Sequence, residues 1–237
     1  RYRQTEPDPS NNLLVQQQSI QLNTTLAATS FIRPEPAKPD FRFTNRRNFS
    51  RMRLGRVDNA IFVQARINNS PFLLFILHTG PAVTAIDVRR ARALGLKSAG
   101  KLAATGAGGN SEVQFTKGVT FTLPGVKLMN QTVVSAPFRK EIAGVKRPFG
   151  GILGYDFISR FVIEIDFLNK TLTLHDAKNY EYKGAGKRVP IAIDGTPFTQ
   201  AEVRVNGHEP VSGRFEIDTG YDGALSLYHP FVMAHPF

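Results

Sequence analysis

The sequence predicts a mainly β, barrel-like chain built from two copies of one unit. Three observations carry this. Short runs rich in β-branched and apolar residues recur between turn residues. Helical content is low, with one short helix expected over 87–95. A strand–turn–strand unit also occurs twice: QARINN (64–69) answers EVRVNG (202–207), and each leads through a second strand into His/Asp-Thr-Gly, as FILHTG (75–80) and FEIDTG (215–220). From Asn68 to His78 is ten residues, and from Asn206 to Asp218 is twelve.

Residues 1–56 read as a polar and basic leader, expected to be flexible. The segments QTEPDPSNN and IRPEPAKPD hold no sustained period of 2 or 3.6. Residues 42–56, RFTNRRNFSRMRLGR, hold six Arg and no acid. Such a run fits an arm for nucleic acid or anionic lipid, or a solvated basic approach to the first strand. No RNA- or DNA-binding motif accompanies it, so the solvated approach is preferred and nucleic acid is not expected as a partner.

The first lobe is expected over 57–183. AIFVQARI is a strand, the Asn68–Asn69 pair tolerates positive φ in a tight turn, and FLLFIL is a buried run. In AIDVRRARALGL, Asp87 suits an N-cap and Gly95 suits the end of a short helix. KLAA and SEVQFT flank the flexible turn TGAGGN, and GVTFTL and QTVVSA are further strands around the turn LPG. FVIEIDF and TLTLHD alternate and are joined by LNK, which reads as a hairpin. The second lobe is expected to start at 187 and run to 237.

Composition narrows the chemistry. The chain has 237 residues, 41% of them apolar, a net charge of +11 and no cysteine. Cysteine nucleophiles, thiolate zinc sites and disulfides are excluded. No window holds eighteen uninterrupted apolar residues, so no membrane-spanning helix is expected. His175, His208, His229 and His235 lack metal-ligand spacing with paired acids, and neither a metal nor a cofactor is expected. TGAGGN lacks the following Lys-Ser/Thr of a phosphate loop. Asp87, Asp156 and Asp166 suit capping and surface roles rather than catalysis.

The Asp-Thr-Gly turn carries the chemistry. An Asp at the end of an apolar strand is held in place, Gly permits close approach of a facing copy, and Thr is able to bond across. Two such turns at a two-fold set two carboxylates side by side, which then share a proton. One is the base for a water, and the other donates to the carbonyl under attack. With FILHTGPAVTAI (75–86), GGILGYDFISRFVIEIDF (150–167) and FEIDTGYDGALSL (215–227), the sequence resembles the bacterial retropepsin-like aspartic peptidases with two tandem lobes. The resemblance covers roughly residues 57–237. It implies a pepsin-like acid protease barrel of two pseudo-symmetric lobes, an extended polypeptide as substrate, and an extracytoplasmic location, periplasmic or secreted. The family's catalytic aspartates fall on His78 and Asp218. Thr79 and Thr219 would bond across the lobes, Gly80 and Gly220 would allow the close turns, and Ile152, Leu153 and Gly154 would lie beneath the first. The hairpin holding Gly106, Gly108 and Gly109 would be the flap.

Three departures stand out. His78 replaces a carboxylate and pairs with Asp218 as imidazolium with carboxylate rather than as an equal. Pro81 removes an N–H where the family has Ala or Ser. Leu153 and Gly154 follow His78 by 75 and 76 residues, whereas 19 residues follow Asp218, so the second lobe is expected to be truncated. An aspartic endopeptidase weakened by His78 is the first reading, and a non-catalytic peptide-binding or scaffold module of the same fold is the second. The two turns are expected to face each other, with His78 and Asp218 roughly 3–5 Å apart.

Overall fold

The computed structural model describes residues 2–4, 13–15, 39–57, 59–106, 109–138 and 148–235. By its contacts the chain divides into Arg1–Lys38 and Pro39–Phe237. In the first unit β1 (Tyr2–Gln4) pairs antiparallel with β2 (Leu13–Val15).

The second unit opens on β3 (Phe41–Phe43), β4 (Phe49–Arg53) and β5 (Gly55–Val57). Within the stretch expected as a leader, residues 41–43, 49–53 and 55–57 are therefore paired strands of this unit. Period-2 alternation is the cause. Met52 and Leu54 point into the core, while Arg51 and Arg53 point out. Phe41 and Phe43 pack on Phe161, with ring centroids 4.7 and 6.2 Å apart.

Next come β6 (Ala60–Ile67), β7 (Leu73–Leu77), β8 (Ala85–Asp87) and α1 (Val88–Ala93). Asn68 takes the left-handed conformation at φ +50, and its side-chain oxygen accepts from the Thr120 amide at 2.9 Å. Asp87 caps α1 by accepting from the Arg89 and Arg90 amides. Gly95 closes the helix at φ +65. There Leu96 N–H donates to Ala91 O and Gly95 N–H to Arg92 O, the doubled closure that left-handed glycine permits.

Then follow β9 (Gly100–Gly106), β10 (Gly109–Leu123), β11 (Val126–Ala136) and β12 (Phe149–Leu153). SEVQFT and GVTFTL, expected as two strands, are one. Register shifts at Thr116, Val119 and Phe121, with Gly118 at φ +75, keep the ladder to β11 running. The N-terminal part of β10 pairs with β9 and its C-terminal part with β6.

The sheet runs β3-β11-β8-β12-β7-β6-β10-β9, and the β10–β11 pairing closes its middle into a ring. Phe75, Leu77, Phe121, Leu128 and Leu153 fill it. The short α2 (Tyr155–Ile158) then leads to β13 (Phe161–Asp166) and β14 (Thr171–Asp176), the expected hairpin. These two strands form a second sheet with β4. A third sheet, β15 (Ala192–Asp194), β16 (Thr196–Val203) and β17 (Val211–Glu216), carries the second repeat and precedes α3 (His229–Ala234). The fold is mainly β, and no helix among the described residues is long and apolar enough to cross a membrane.

Candidate active site at the junction of the two repeats

β7 and β17 each run out of a sheet into a Thr-Gly turn, and the two turns meet. Thr79 and Thr219 bind them reciprocally. Thr79 N–H donates to Thr219 Oγ1 at 3.2 Å, and Thr219 N–H donates to Thr79 Oγ1 at 2.9 Å. Each hydroxyl then donates to the strand leading into the other turn, Thr219 to Leu77 O at 2.8 Å and Thr79 to Ile217 O. Thr79 is buried at this junction. Four hydrogen bonds thus fix the turns as approximate two-fold mates.

His78 and Asp218 stand at equivalent places on this junction. His78 Nε2 lies 2.7 Å from Asp218 Oδ1, slightly closer than expected, and the side chains retain 21% and 30% exposure. Burial raises the Asp218 carboxyl. It is outweighed by the His78 hydrogen bond, the Gly220 and Tyr221 amides and the His78 charge, so its pKa lies below the ordinary carboxylate value.

The turn glycines are required by close approach. A Cβ on Gly80 would sit 2.9 Å from Asp218 Oδ2 and 3.1 Å from His78 Nε2. A Cβ on Gly220 would overlap the His78 ring at Cγ and Cδ2. Gly80 therefore makes room for the Asp218 side chain, and Gly220 for that of His78.

Beneath the first turn lie Ile152 and Leu153 of β12, followed by Gly154 at the start of α2. β12 lies between β7, which it parallels, and β8, which it opposes. Leu153 O accepts from His78 N–H at 3.0 Å. Gly154 passes so close that a Cβ would sit 2.6 Å from the Val83 carbonyl carbon. A bracket that the sequence did not suggest completes this support. The buried Thr84 hydroxyl donates to Asp156 Oδ1 at 2.7 Å and accepts from Gly154 N–H at 3.1 Å. Pro81, though it lacks an N–H, uses its carbonyl to receive Tyr155 N–H at 2.8 Å.

Asp87 and Asp166 serve local structure, the first as a helix cap and the second by accepting from Asn169 N–H at 2.8 Å. Gly106 and Gly109 pair at the end of the β9–β10 hairpin, while Gly108 lies outside the described residues. No group of three or more metal-ligating side chains gathers among the described residues. His175 pairs with Glu164 at 2.9 Å, remote in sequence from both turns.

A cleft of about 1100 Å³ opens beside the pair. Ile76 and His78 line it from the first repeat, and Phe198, Phe215, Tyr221 and Leu225 from the second. The repeat also extends beyond the turns. α1 begins ten residues after His78 and α3 eleven after Asp218, and each has six residues.

Residues 63–157 match the family profile described as aspartyl protease. No curated protein matches the chain. Among solved structures, the chain is similar to a retropepsin-like aspartic protease from Rickettsia conorii, at 17% identity and a TM-score of 0.37, over 53% of this chain and 90% of that one.

Proposed function

We propose, from the match of residues 63–157 to the aspartyl protease profile, that the chain is an aspartic-type endopeptidase acting between its two Thr-Gly turns and weakened by His78. The observation that carries this is the 2.7 Å contact of His78 Nε2 with Asp218 Oδ1 at a junction closed by cross-turn threonines. Asp218 is the base that activates water. The weakening follows from His78, since a hydrolytic pair of matched carboxylates needs one ionised and one protonated, and one carboxyl is missing here. The substrate is extended polypeptide laid in the cleft rather than nucleic acid, in an extracytoplasmic setting.

The same missing carboxyl favours a second reading, a peptide-binding or scaffold module that keeps the fold without cleavage. A peptide-library digest separates the two. Cleavage by the chain or by His78→Asp above the Asp218→Asn background supports the endopeptidase. If His78→Asp with Pro81→Ala also cleaves nothing while the library is retained by the protein, the binding module takes its place.

A further inference from the structure

We propose that His78 is itself a catalytic residue: as an imidazolium it supplies the proton that a protonated carboxyl supplies in a two-carboxylate site, with Asp218 as its base. The inference rests on the endopeptidase reading and concerns how the reaction runs and at what pH.

The geometry carries it. Nε2 is the ring atom in contact with Asp218, at 2.7 Å, so the acid and the base already touch. Both side chains keep a solvent-facing part and both line the cleft. Gly80 and Gly220 place no side chain over either group. The lowered carboxyl of Asp218, held against burial by the His78 hydrogen bond and the Gly220 and Tyr221 amides, agrees with an ionised base.

Other ionisable groups share the cleft. Glu202 pairs with Arg204 at 2.6 Å, and Arg214 pairs with Asp194 at 3.0 Å while lying 3.8 Å over the Phe198 ring. Glu216, Asp222, Tyr221 and Tyr228 also line it. From below, Tyr155 and Asp156 of α2 bond to the first turn and its flank through Pro81, Ala82 and Thr84. Asp218 is the carboxylate in contact with the imidazole.

The reaction balances with these two groups. Water adds its oxygen to the peptide carbonyl carbon and passes a proton to the Asp218 carboxylate. The carbonyl oxygen takes the Nε2 proton of His78. The result is a neutral gem-diol, a protonated Asp218 and a neutral imidazole. On collapse Asp218 gives its proton to the amide nitrogen, the C–N bond breaks, and one gem-diol hydroxyl returns a proton to His78. Acid, amine and the original ion pair remain. In the resting site Nε2–H donates to Asp218, and an entering carbonyl takes a share of it.

The pH dependence follows. Cleavage requires an ionised Asp218 and a protonated imidazole, so the rate profile is bell-shaped. Its alkaline limb reports loss of the proton that His78 must supply. His78→Asp restores a proton-sharing pair of carboxyls, so its profile no longer contains an imidazole limb.

The test is a pH–rate profile of peptide-library cleavage by the full chain, His78→Asp, His78→Asn and Asp218→Asn, with the imidazole of His78 followed by NMR over the same range. The expected result is cleavage by the native chain about 10² times faster than by His78→Asn. Its alkaline limb should coincide with the NMR titration. Cleavage no faster than His78→Asn, or an alkaline limb that departs from the imidazole titration, overturns the role of His78. If His78→Asp cleaves in that case, the endopeptidase reading stands and this inference alone falls. Absence of cleavage by every variant at every pH removes both.

Discussion

Thr79 and Thr219 exchange backbone N–H for hydroxyl in both directions, at 3.2 and 2.9 Å, across 140 residues of sequence. Valine at either position keeps the shape but leaves an amide and a carbonyl at the junction without partners. Thr219→Val is expected to cost about 1–3 kcal/mol in denaturant unfolding, and Thr219→Ser much less. Because the residues share one network, the double valine variant should cost less than the sum of the singles. Strict additivity would mean that the two turns do not support each other.

Gly154 and Gly220 give a second pair of outcomes. A Cβ at Gly154 meets backbone, 2.6 Å from the Val83 carbonyl carbon and 2.9 Å from Pro81 O, and backbone does not yield cheaply. Gly154→Ala should destabilise by about 1–3 kcal/mol, read as a lowered urea midpoint. At Gly220 the obstacle is the His78 ring, a side chain able to rotate. Gly220→Ala should therefore displace the ring from Asp218 at a smaller cost, seen as changed His78 imidazole shifts. Unchanged shifts would contradict the close approach.

How much of this was legible in the sequence depends on the distance over which each signal acts. Asn68, Asp87 and Gly95 announced their turn, cap and helix end because those roles are local backbone chemistry. The meeting of His78 and Asp218 was legible through repetition, since two copies of one motif imply a two-fold. The Thr84–Asp156–Gly154 bracket was not. It depends on β12 entering between β7 and β8, a non-local crossing that no residue pattern near Thr84 reports. β3 and β4 were hidden differently. Arginines interleave with Phe41, Phe43, Met52 and Leu54, and the charge obscured the alternation. The sequence suggests two strands where β10 is one, because Gly118 marks a bulge rather than a turn.

Asp87 yields a pH prediction. Burial raises its carboxyl, but bonds from the Arg89 side chain and amide, the Arg89 charge and the Arg90 amide outweigh this, and its pKa is lowered. A depressed folded-state value means stability present above the unfolded carboxyl range, about pH 4, and lost as pH falls through the folded value. Asp87→Ala should cost about 1 kcal/mol near pH 7 for the lost cap, with a smaller difference from the native chain once pH falls below the lowered Asp87 carboxyl. Thermal unfolding across pH checks this. A constant difference between the two proteins at all pH would place the Asp87 contribution outside its charge.

Met52 and its neighbours decide what the arginine-rich segment is. A solvated arm would tolerate change at every position. The structure instead has β4 paired with β14, Met52 opposite Leu172 and Arg51 opposite Thr173, so alternate residues differ sharply in burial. Met52 is 6% exposed and Leu54 is 7% exposed, both in the cluster with Leu172 and Leu174. Truncating either removes buried methylenes and leaves a cavity that rigid strand neighbours fill poorly. Met52→Ala and Leu54→Ala should each cost about 2–5 kcal/mol. Arg53→Gln, on the opposite face of the same strand, should change stability by about 0.5 kcal/mol or less. Urea unfolding of the full chain measures all three. Equal, small effects at 52, 53 and 54 would return the segment to the status of a leader. The alternating outcome establishes it as an edge strand whose charges face water while its apolar side chains close the core beneath β14.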